Sequence, residues 1–189
     1  EYAVKRRTVI ENAEEAVFEE KKVEEQEVVL LMDRFGYAKT VDVSTYERNK
    51  EAADKENKCI LTCMNTGKLM LFTADGKMHQ AKVQDLPYGK FRDKGLPVDN
   101  VSNYDSTKEE IIYICDDRQL YFAKFLFVTK QGMLKKVDGS EFQVAKRTIA
   151  ATKLQDDDAV VSIQIVNDSQ NVVLMTENEY VLRFAAEEV

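Results

Sequence analysis

The residue types that most often do chemistry are few in this sequence. It contains three cysteines and one histidine, His79. Cys59 and Cys63 would share one side of a strand, and Cys115 lies in an apolar segment. A zinc site needs about four ligands, and His79 has no partner at ligand spacing. We therefore predict buried structural thiols and no metal site.

Other catalytic motifs also fail to match. A Ser/His/Asp site would need a nucleophile elbow, which the sequence lacks, and we find no glycine-rich phosphate loop. The run Asp156-Asp157-Asp158 suggests a cation site, but without the spacing of a calcium loop it is more typical of a solvated turn. We predict that this chain carries no catalytic residue.

Cationic side chains recur in a repeated pattern and are the better candidates. The second strand of each predicted hairpin carries one or two: Lys39, His79, Lys135 with Lys136, and Arg183. We interpret His79 as a surface residue near phosphate rather than a general base. Such cations could serve only solubility and the protection of strand edges. Their recurrence instead favours a curved basic surface for a bent duplex, with salt-dependent and sequence-independent binding.

Four similar β-hairpins would position these residues. An apolar run, a polar break and a run that turns basic recur in VVLLMDRFGYAKTVDVSTY, LMLFTADGKMHQAKVQDLP, FLFVTKQGMLKKVDGSEF and VVLMTENEYVLRFAAEEV. Gly36, Gly76 and Gly132 hold the turn position, where positive φ is cheapest for glycine. Glu179 replaces glycine in the fourth copy, so that turn is of another type or strained.

Strand signals at short intervals and weak helical signals predict an all-β protein of four-stranded units. Isolated hairpins are marginally stable, so these units must pack face to face. Residues 44–58 are predicted to be a loop or a single helical turn between units. Residues 90–95, with Pro87 and Pro97 on either side, are predicted to be a basic surface connection.

The net charge of −7 is unevenly distributed. Residues 11–27 contain eight glutamates and two lysines, whereas residues 76–96 and 124–153 each contain more cations than acids. Phosphate binding depends on local patches rather than on the total charge. The acidic stretch is either a solvated linker or an arm that competes with DNA for the basic patches.

Length and composition allow one large domain or two small ones, with 44% apolar residues available for a core. An odd number of cysteines at no framework spacing favours a reducing cytosol. No segment has the apolar length of a membrane span, and no signal-peptide pattern opens the sequence.

The repeated motif resembles the C-terminal domain of the A subunits of bacterial type IIA topoisomerases, DNA gyrase and topoisomerase IV. The likeness rests on LLMDRFGYAKT, LFVTKQGMLKK and VLMTENEYVLR, and on VQDLPYGKFRDKGLPVDNV, which resembles the connection between blades in that family. Arg6-Arg7-Thr8 before the acidic stretch resembles the junction after the breakage-reunion core. The likeness covers essentially the whole chain.

This resemblance implies a β-pinwheel, an all-β, propeller-like array of four-stranded antiparallel blades that exchange strands, here incomplete or few-bladed. Residues 1–27 would be an acidic leader from the upstream core. Residues 28–189 would be the DNA-binding domain, with repeats near 28–66, 67–122, 123–166 and 167–189. Either the fourth blade is incomplete or a terminal strand, such as residues 7–10, completes it.

The resemblance also implies a role in DNA topology without chemistry in this chain. The domain would bind, bend or wrap double-stranded DNA in the cytoplasm, at the nucleoid, with no membrane partner. The parent protein would be an ATP-dependent topoisomerase whose ATP and Mg belong to the holoenzyme with its B subunit. The A subunits would form a homodimer through regions outside this chain, and none of its eight tyrosines would cleave DNA.

The predicted phosphate contacts are cations of the hairpins and of the basic connections. They are Lys39, Lys77, His79, Lys82, Lys90, Arg92, Lys94, Lys135, Lys136, Lys146, Arg147 and Arg183.

One departure from the family concerns the loop after the first hairpin. Gyrases carry there a glycine- and arginine-rich box associated with wrapping and negative supercoiling. Residues 47–54, ERNKEAAD, hold this place without the glycines or the arginine pair. This favours a topoisomerase IV-like or divergent A subunit over a typical gyrase. The alternatives are a propeller-like protein-interaction scaffold, and docking of the B subunit or the enzyme core on the acidic leader.

Overall fold

The computed structural model describes residues 24–189. Most of the predicted acidic leader and the proposed terminal strand at residues 7–10 therefore lie outside the described residues. Within residues 24–189, no helix has the length and apolar character needed to cross a membrane.

Short antiparallel strands form most of the structure. In chain order the strands and helices are β1 (Glu27–Asp33), β2 (Tyr37–Asp42), α1 (Val43–Arg48), α2 (Lys50–Glu56), β3 (Asn57–Met64), β4 (Lys68–Thr73), β5 (Lys77–Lys82), β6 (Leu96–Pro97), β7 (Ile111–Asp116), α3 (Asp117–Leu120), β8 (Lys124–Thr129), β9 (Leu134–Asp138), β10 (Thr148–Ala150), β11 (Val160–Val166), β12 (Asn171–Met175) and β13 (Val181–Ala185). Single 3₁₀ turns lie at Val83–Asp85, Val98–Asn100, Gly139–Phe142 and Ala186–Glu188.

The strands form four sheets, which we call blades 1 to 4. Blade 1 has the order β3-β1-β2-β6, blade 2 the order β10-β5-β4-β7, blade 3 the order β11-β8-β9, and blade 4 is the hairpin β12-β13. In blade 1 the second hairpin strand, β2, pairs with β6, and in blade 2 the second hairpin strand, β5, pairs with β10. β6 and β10 each follow the next hairpin in the chain. Blades 1 and 2 therefore exchange strands with the repeats that follow them, as the resemblance implied.

The hairpin turns have the conformation that their residues predict. Gly36, Gly76 and Gly132 have φ angles of 82°, 79° and 82°. Glu179 has φ 62° and so adopts a left-handed conformation without being glycine. The prediction of strain at the fourth turn is confirmed, because a β-carbon makes this conformation unfavourable.

The core lies between the blades, because alternate residues of a strand point to opposite faces. In β4, Leu69 and Leu71 belong to one buried cluster together with Leu30 of blade 1. Met70 and Phe72, on the other face of β4, belong to the next cluster. β4, the first hairpin strand of blade 2, is thus apolar on both faces.

The segment after the first hairpin differs from its prediction. Residues 43–56 form two short helices, α1 and α2, rather than a loop or one turn between blades. Within the described residues, they cover the face of blade 1 that points away from blade 2, where Leu31 is buried. We call residues 43–56 the helical cap. Val43, Tyr46 and Ala53 pack on that face, which explains why a largely polar segment folds onto the sheet.

Phe72 provides a test of the inter-blade core. Its ring is fully buried and lies 5.1 Å from Phe142 and 5.7 Å from Phe125, measured between ring centroids. Phe72→Ala should lower the free energy of unfolding by about 3–5 kcal/mol, because it leaves a cavity. Phe122 is 94% exposed and gives a matched control, since Phe122→Ala should change stability by less than about 0.5 kcal/mol. Urea unfolding measures both, and equal losses would contradict a core between the blades.

Gly76 tests the contact between a turn and the exchanged segment. A β-carbon at Gly76 would lie 2.8 Å from the Thr152 carbonyl oxygen, whereas one at Gly36 would have no atom within 4 Å. Both positions have positive φ, so alanine should cost about 1–2 kcal/mol at each. Gly76→Ala should cost at least about 1 kcal/mol more than Gly36→Ala in thermal unfolding, because backbone atoms must shift. Equal costs would show that the turn does not pack tightly on residues 151–152.

Candidate nucleic-acid interface

The cations predicted on the second hairpin strands do not form one row. Lys39, His79 and Lys135 lie opposite Leu31, Leu71 and Phe127, which are equivalent positions. Lys136 and Arg183 lie at the next position along the strand, opposite Leu126 and Val173. Adjacent strand residues point to opposite faces. The recurrence in the sequence therefore combines two sets of side chains that face in opposite directions.

The prediction of His79 as a surface residue is wrong, because its side chain is only 2% exposed. The exchanged strand β10 pairs with β5 and places Thr148 Oγ1 3.0 Å from His79 Nδ1. Glu109 Oε2 lies 2.9 Å from His79 Nε2, and the Tyr104 ring packs against the imidazole edge to face. His79 joins three segments of the chain and is too deeply buried to contact a phosphate.

Lys77 belongs to the same cluster of charges. Its Nζ lies 2.6 Å from Asp75 Oδ2 and 2.7 Å from Glu109 Oε1. Hydrogen bonds to Asp75 and then to Glu109 raise the pKa of Lys77 above its usual value. Two carboxylates thus already neutralise this predicted phosphate-binding residue.

Lys39 and Lys136 also make contacts within the protein. Lys39 Nζ donates to the backbone carbonyl of Phe91, in the basic connection predicted at residues 90–95. Lys136 Nζ donates to the Ala186 carbonyl at 2.6 Å and to Asp168 at 3.1 Å, both in the blade 4 segment. Lys39 holds that connection against blade 1, and Lys136 holds blade 4 against blade 3.

The exposed cations lie at the edges where strands are exchanged. The backbone N–H groups of Thr40 and Gln80, at equivalent positions of blades 1 and 2, donate to the carbonyls of Pro87 and Arg147. In the sequence, exposed cations lie close to both residues that supply these carbonyls. These are Lys90, Arg92 and Lys94 after Pro87, and Lys146 together with Arg147 itself.

Further cations line grooves beside the second hairpin strands. Lys68, which pairs with Lys82 across the hairpin, lines a groove of about 100 Å³ with Lys82, Arg147 and the acidic Asp85. Lys135 and Lys153 line two neighbouring grooves of about 250 and 350 Å³. Lys68 and Lys153 were not among the predicted contacts. The pairing of Lys68 with Lys82 across the hairpin was a usable signal, and Lys153 lies in the basic patch of residues 124–153.

The blades have the same strand order and stack face to face, so their second-strand edges lie along one side of the array. Exposed cations occur on this side in blades 1, 2 and 3. Within residues 24–189, the arrangement offers repeated positive charges at intervals. It suits a long polyanion better than a small ligand.

The cysteines are structural. Cys63 and Cys115 are buried and Cys59 is half-buried. Burial raises the pKa of the Cys59 thiol to about 11 and that of Cys63 to about 12. Thiols with such values are poor nucleophiles at neutral pH, so the prediction of structural thiols is confirmed. Within residues 24–189, no three metal-ligating side chains converge.

Comparisons with known proteins point to one family. A family model described as "DNA gyrase C-terminal domain, beta-propeller" matches residues 123–167 and 170–189. The A subunit of DNA gyrase from Lawsonia intracellularis is 29% identical over 179 residues, covering 88% of this chain and 22% of that protein. The corresponding protein of Clostridium acetobutylicum is 28% identical over 195 residues, covering 97% and 23%. The chain spans less than a quarter of the length of these relatives.

Solved structures agree with this result. The C-terminal domain of a DNA topoisomerase IV is 26% identical with a TM-score of 0.76, covering 88% of this chain and 54% of that one. The C-terminal domain of E. coli ParC has a TM-score of 0.69 at 14% identity, covering 86% and 66%.

The exchange of strands between blades, together with these structures, defines the fold as a β-pinwheel, and the predicted fold class is confirmed. The chain is similar in sequence to A subunits of DNA gyrase and in structure to the C-terminal domain of a DNA topoisomerase IV. The resemblance inferred from its hairpins is thereby confirmed.

Glu109 tests whether the buried charge cluster is structural. Glu109→Gln leaves Lys77 and His79 without their shared carboxylate and should lower the free energy of unfolding by about 1–3 kcal/mol. Glu110→Gln is the matched control, because Glu110 is exposed and the same change there should have little effect. Chemical unfolding at neutral pH measures both variants. An unchanged stability for Glu109→Gln would show that the cluster does not hold the exchanged strand.

Proposed function

We propose that this chain is a non-catalytic DNA-binding domain that captures and bends a duplex for a bacterial type IIA topoisomerase. The observation that carries the proposal is the recurrence of exposed cations along one side of three successive blades. Its support is the family of the relatives, which are A subunits of DNA gyrase. Contacts of this kind act on the phosphate backbone and do not select a sequence.

The proposed phosphate contacts form three groups of side chains, one group for each blade, and all are exposed except Lys68, which is half-buried. Lys39, Lys77, His79 and Lys136 are left out, because they are buried or bound within the protein. Arg183 is left out as well, because it lies opposite Val173 on a blade face and not on a connection between blades. The three groups are Lys90, Arg92 and Lys94 on blade 1, Lys68, Lys82, Lys146 and Arg147 on blade 2, and Lys135 and Lys153 on blade 3.

The remaining expectations for the whole protein are also proposals. The parent protein would be an ATP-dependent topoisomerase that acts in the cytoplasm at the nucleoid. ATP and Mg would belong to its complex with the B subunit, and two copies of the parent protein would pair through other regions. The helical cap supports a topoisomerase IV-like protein, because it occupies the place of the gyrase box without the glycines or the arginine pair of that box.

A salt titration tests the proposed function. Binding of a fluorescent duplex should weaken steeply with salt, and removing one phosphate contact should reduce the slope of log K against log salt by about 0.9. The variant Lys146→Ala/Arg147→Ala removes two proposed contacts and should reduce the slope by about 1.8 for duplexes of any sequence.

The matched control is Lys108→Ala/Lys124→Ala, which removes the same charge. Asp105 already pairs with Lys108, and Asp168 pairs with Lys124. This control should change the slope much less. Binding that hardly responds to salt, or that is equally reduced in both variants, would count against the proposal. A protein partner retained from a nuclease-treated lysate, without DNA binding, would favour the scaffold alternative.

A further inference from the structure

An exposed groove with apolar walls lies between blades 2 and 3, and its volume is about 490 Å³. Phe122, in the connection from α3 to β8, is 94% exposed and forms one wall. Ile165 of β11 is 44% exposed and forms another, and Ala123 also lines the groove. Exposed apolar surfaces of this kind mark interaction sites more often than they are accidental.

The groove continues the inter-blade core to the surface. Ile163 and Ile165 are two residues apart in β11 and therefore share a face of the strand. Ile163 belongs to the buried cluster that contains Phe72 of blade 2. Ile165 extends this face to the surface, next to Phe122. The groove thus has room for one more large apolar side chain against a surface that is already packed.

The described part of the chain begins beside this groove. The Glu24 carbonyl accepts a hydrogen bond from Asn65 Nδ2 at 2.9 Å, in the turn that follows β3. Arg118, which lines the groove, has its Nη1 3.7 Å from Glu27 Oε1 and donates from Nη2 to the Thr62 carbonyl at 3.3 Å. The first described residues and the groove therefore share a wall.

The sequence before Glu24 contains a matching apolar pair. Between residues 11 and 20, the large apolar residues are Val17 and Phe18, with two glutamates on either side of Ala16-Val17-Phe18. We call residues 14–20, EEAVFEE, the leader segment. Phe18 precedes Glu24 by six residues, which span up to about 20 Å when extended. This reach is sufficient to bring Phe18 from Glu24 to the groove.

We propose that the leader segment docks in the groove between blades 2 and 3, with Phe18 between Phe122 and Ile165. The position of Glu24, the short tether and the single apolar pair of the acidic stretch carry this proposal. The flanking glutamates stay at the exposed rim, in water. The occupant is thus a segment of the same chain.

This docking would keep the acidic stretch away from the proposed DNA contacts. Thr62 of β3, Asp116 of β7 and Ile165 of β11 lie on strands at the sheet edges opposite the exchanged strands β6 and β10. The exposed cations lie beside β6 and β10. The leader segment would then anchor the domain from one edge of the blades and leave the other edge free. The proposal does not rest on DNA binding.

Tryptophan fluorescence of the full 189-residue chain tests the docking, because the sequence contains no tryptophan. Phe18→Trp introduces one indole at the proposed contact, and Asn12→Trp introduces it elsewhere in the acidic stretch as the control. Acrylamide should quench the Phe18→Trp protein with a constant roughly half that of the Asn12→Trp protein or lower, because the docked form is shielded. Equal quenching constants would overturn the proposal.

Two variants of the groove test its role in the Phe18→Trp background. Ile165→Thr keeps a β-branched residue in the strand and should raise the quenching constant to that of the Asn12→Trp protein. Val173→Thr is its matched control, because Val173 is also an exposed strand residue, and should change nothing. Phe122→Ala should act like Ile165→Thr. A segment docked about half of the time changes the folding equilibrium only about twofold, so Phe122→Ala should still have little effect on unfolding.

Three other outcomes would also overturn the proposal. Shielding that survives both Ile165→Thr and Phe122→Ala would show that Phe18 lies elsewhere. Shielding that falls on dilution of the protein would show that the segment binds another copy. Shielding that is lost in Lys146→Ala/Arg147→Ala would show that the acidic stretch covers the cations instead. All of these measurements are made without DNA, so failure of the proposed function would leave their results unchanged.

Discussion

The structure depends on the burial of the first hairpin strands between neighbouring blades, as β4 is buried on both faces. An isolated two-stranded hairpin cannot bury both faces, so the blades are stable only as an array. Strand exchange adds a second constraint, because β6 joins blade 1 and β10 joins blade 2 to the repeat that follows each of them. Lys39 and Lys136 reinforce the same arrangement with hydrogen bonds from one segment to another.

This constraint also decides which cations can contact a ligand. A side chain on a blade face can be covered by other segments of the chain, as His79 is covered by Thr148 of β10 and by Glu109. Side chains on the connections, such as Arg92 and Arg147, remain exposed. A basic surface in such an array is therefore made by the strand edges and by the loops that pass between blades.

Local structure could be predicted well from the sequence, whereas long-range structure could not. The hairpins followed from apolar runs around turn glycines, and the strained turn at Glu179 followed from the missing fourth glycine. The β6 strand of two residues has no detectable pattern of its own, because it forms only through pairing with Tyr37 and Ala38. The helical cap was missed because its few apolar residues make a face only when packed on blade 1.

The candidate site shows the same division. The cations of residues 90–95 are exposed, as their composition predicted. His79 is instead covered by a strand from about seventy residues away, and the periodicity of one sequence carries no information about such pairing.

The contact between His79 and Thr148 has a consequence for biosynthesis. Blade 2 obtains its fourth strand only after the third hairpin has been translated, so that sheet cannot mature as soon as its own hairpin leaves the ribosome. Until then, the edge of β5 is unpaired and available to a wrong strand from a neighbouring nascent chain. Maturation of blades 1 and 2 thus lags translation by one repeat.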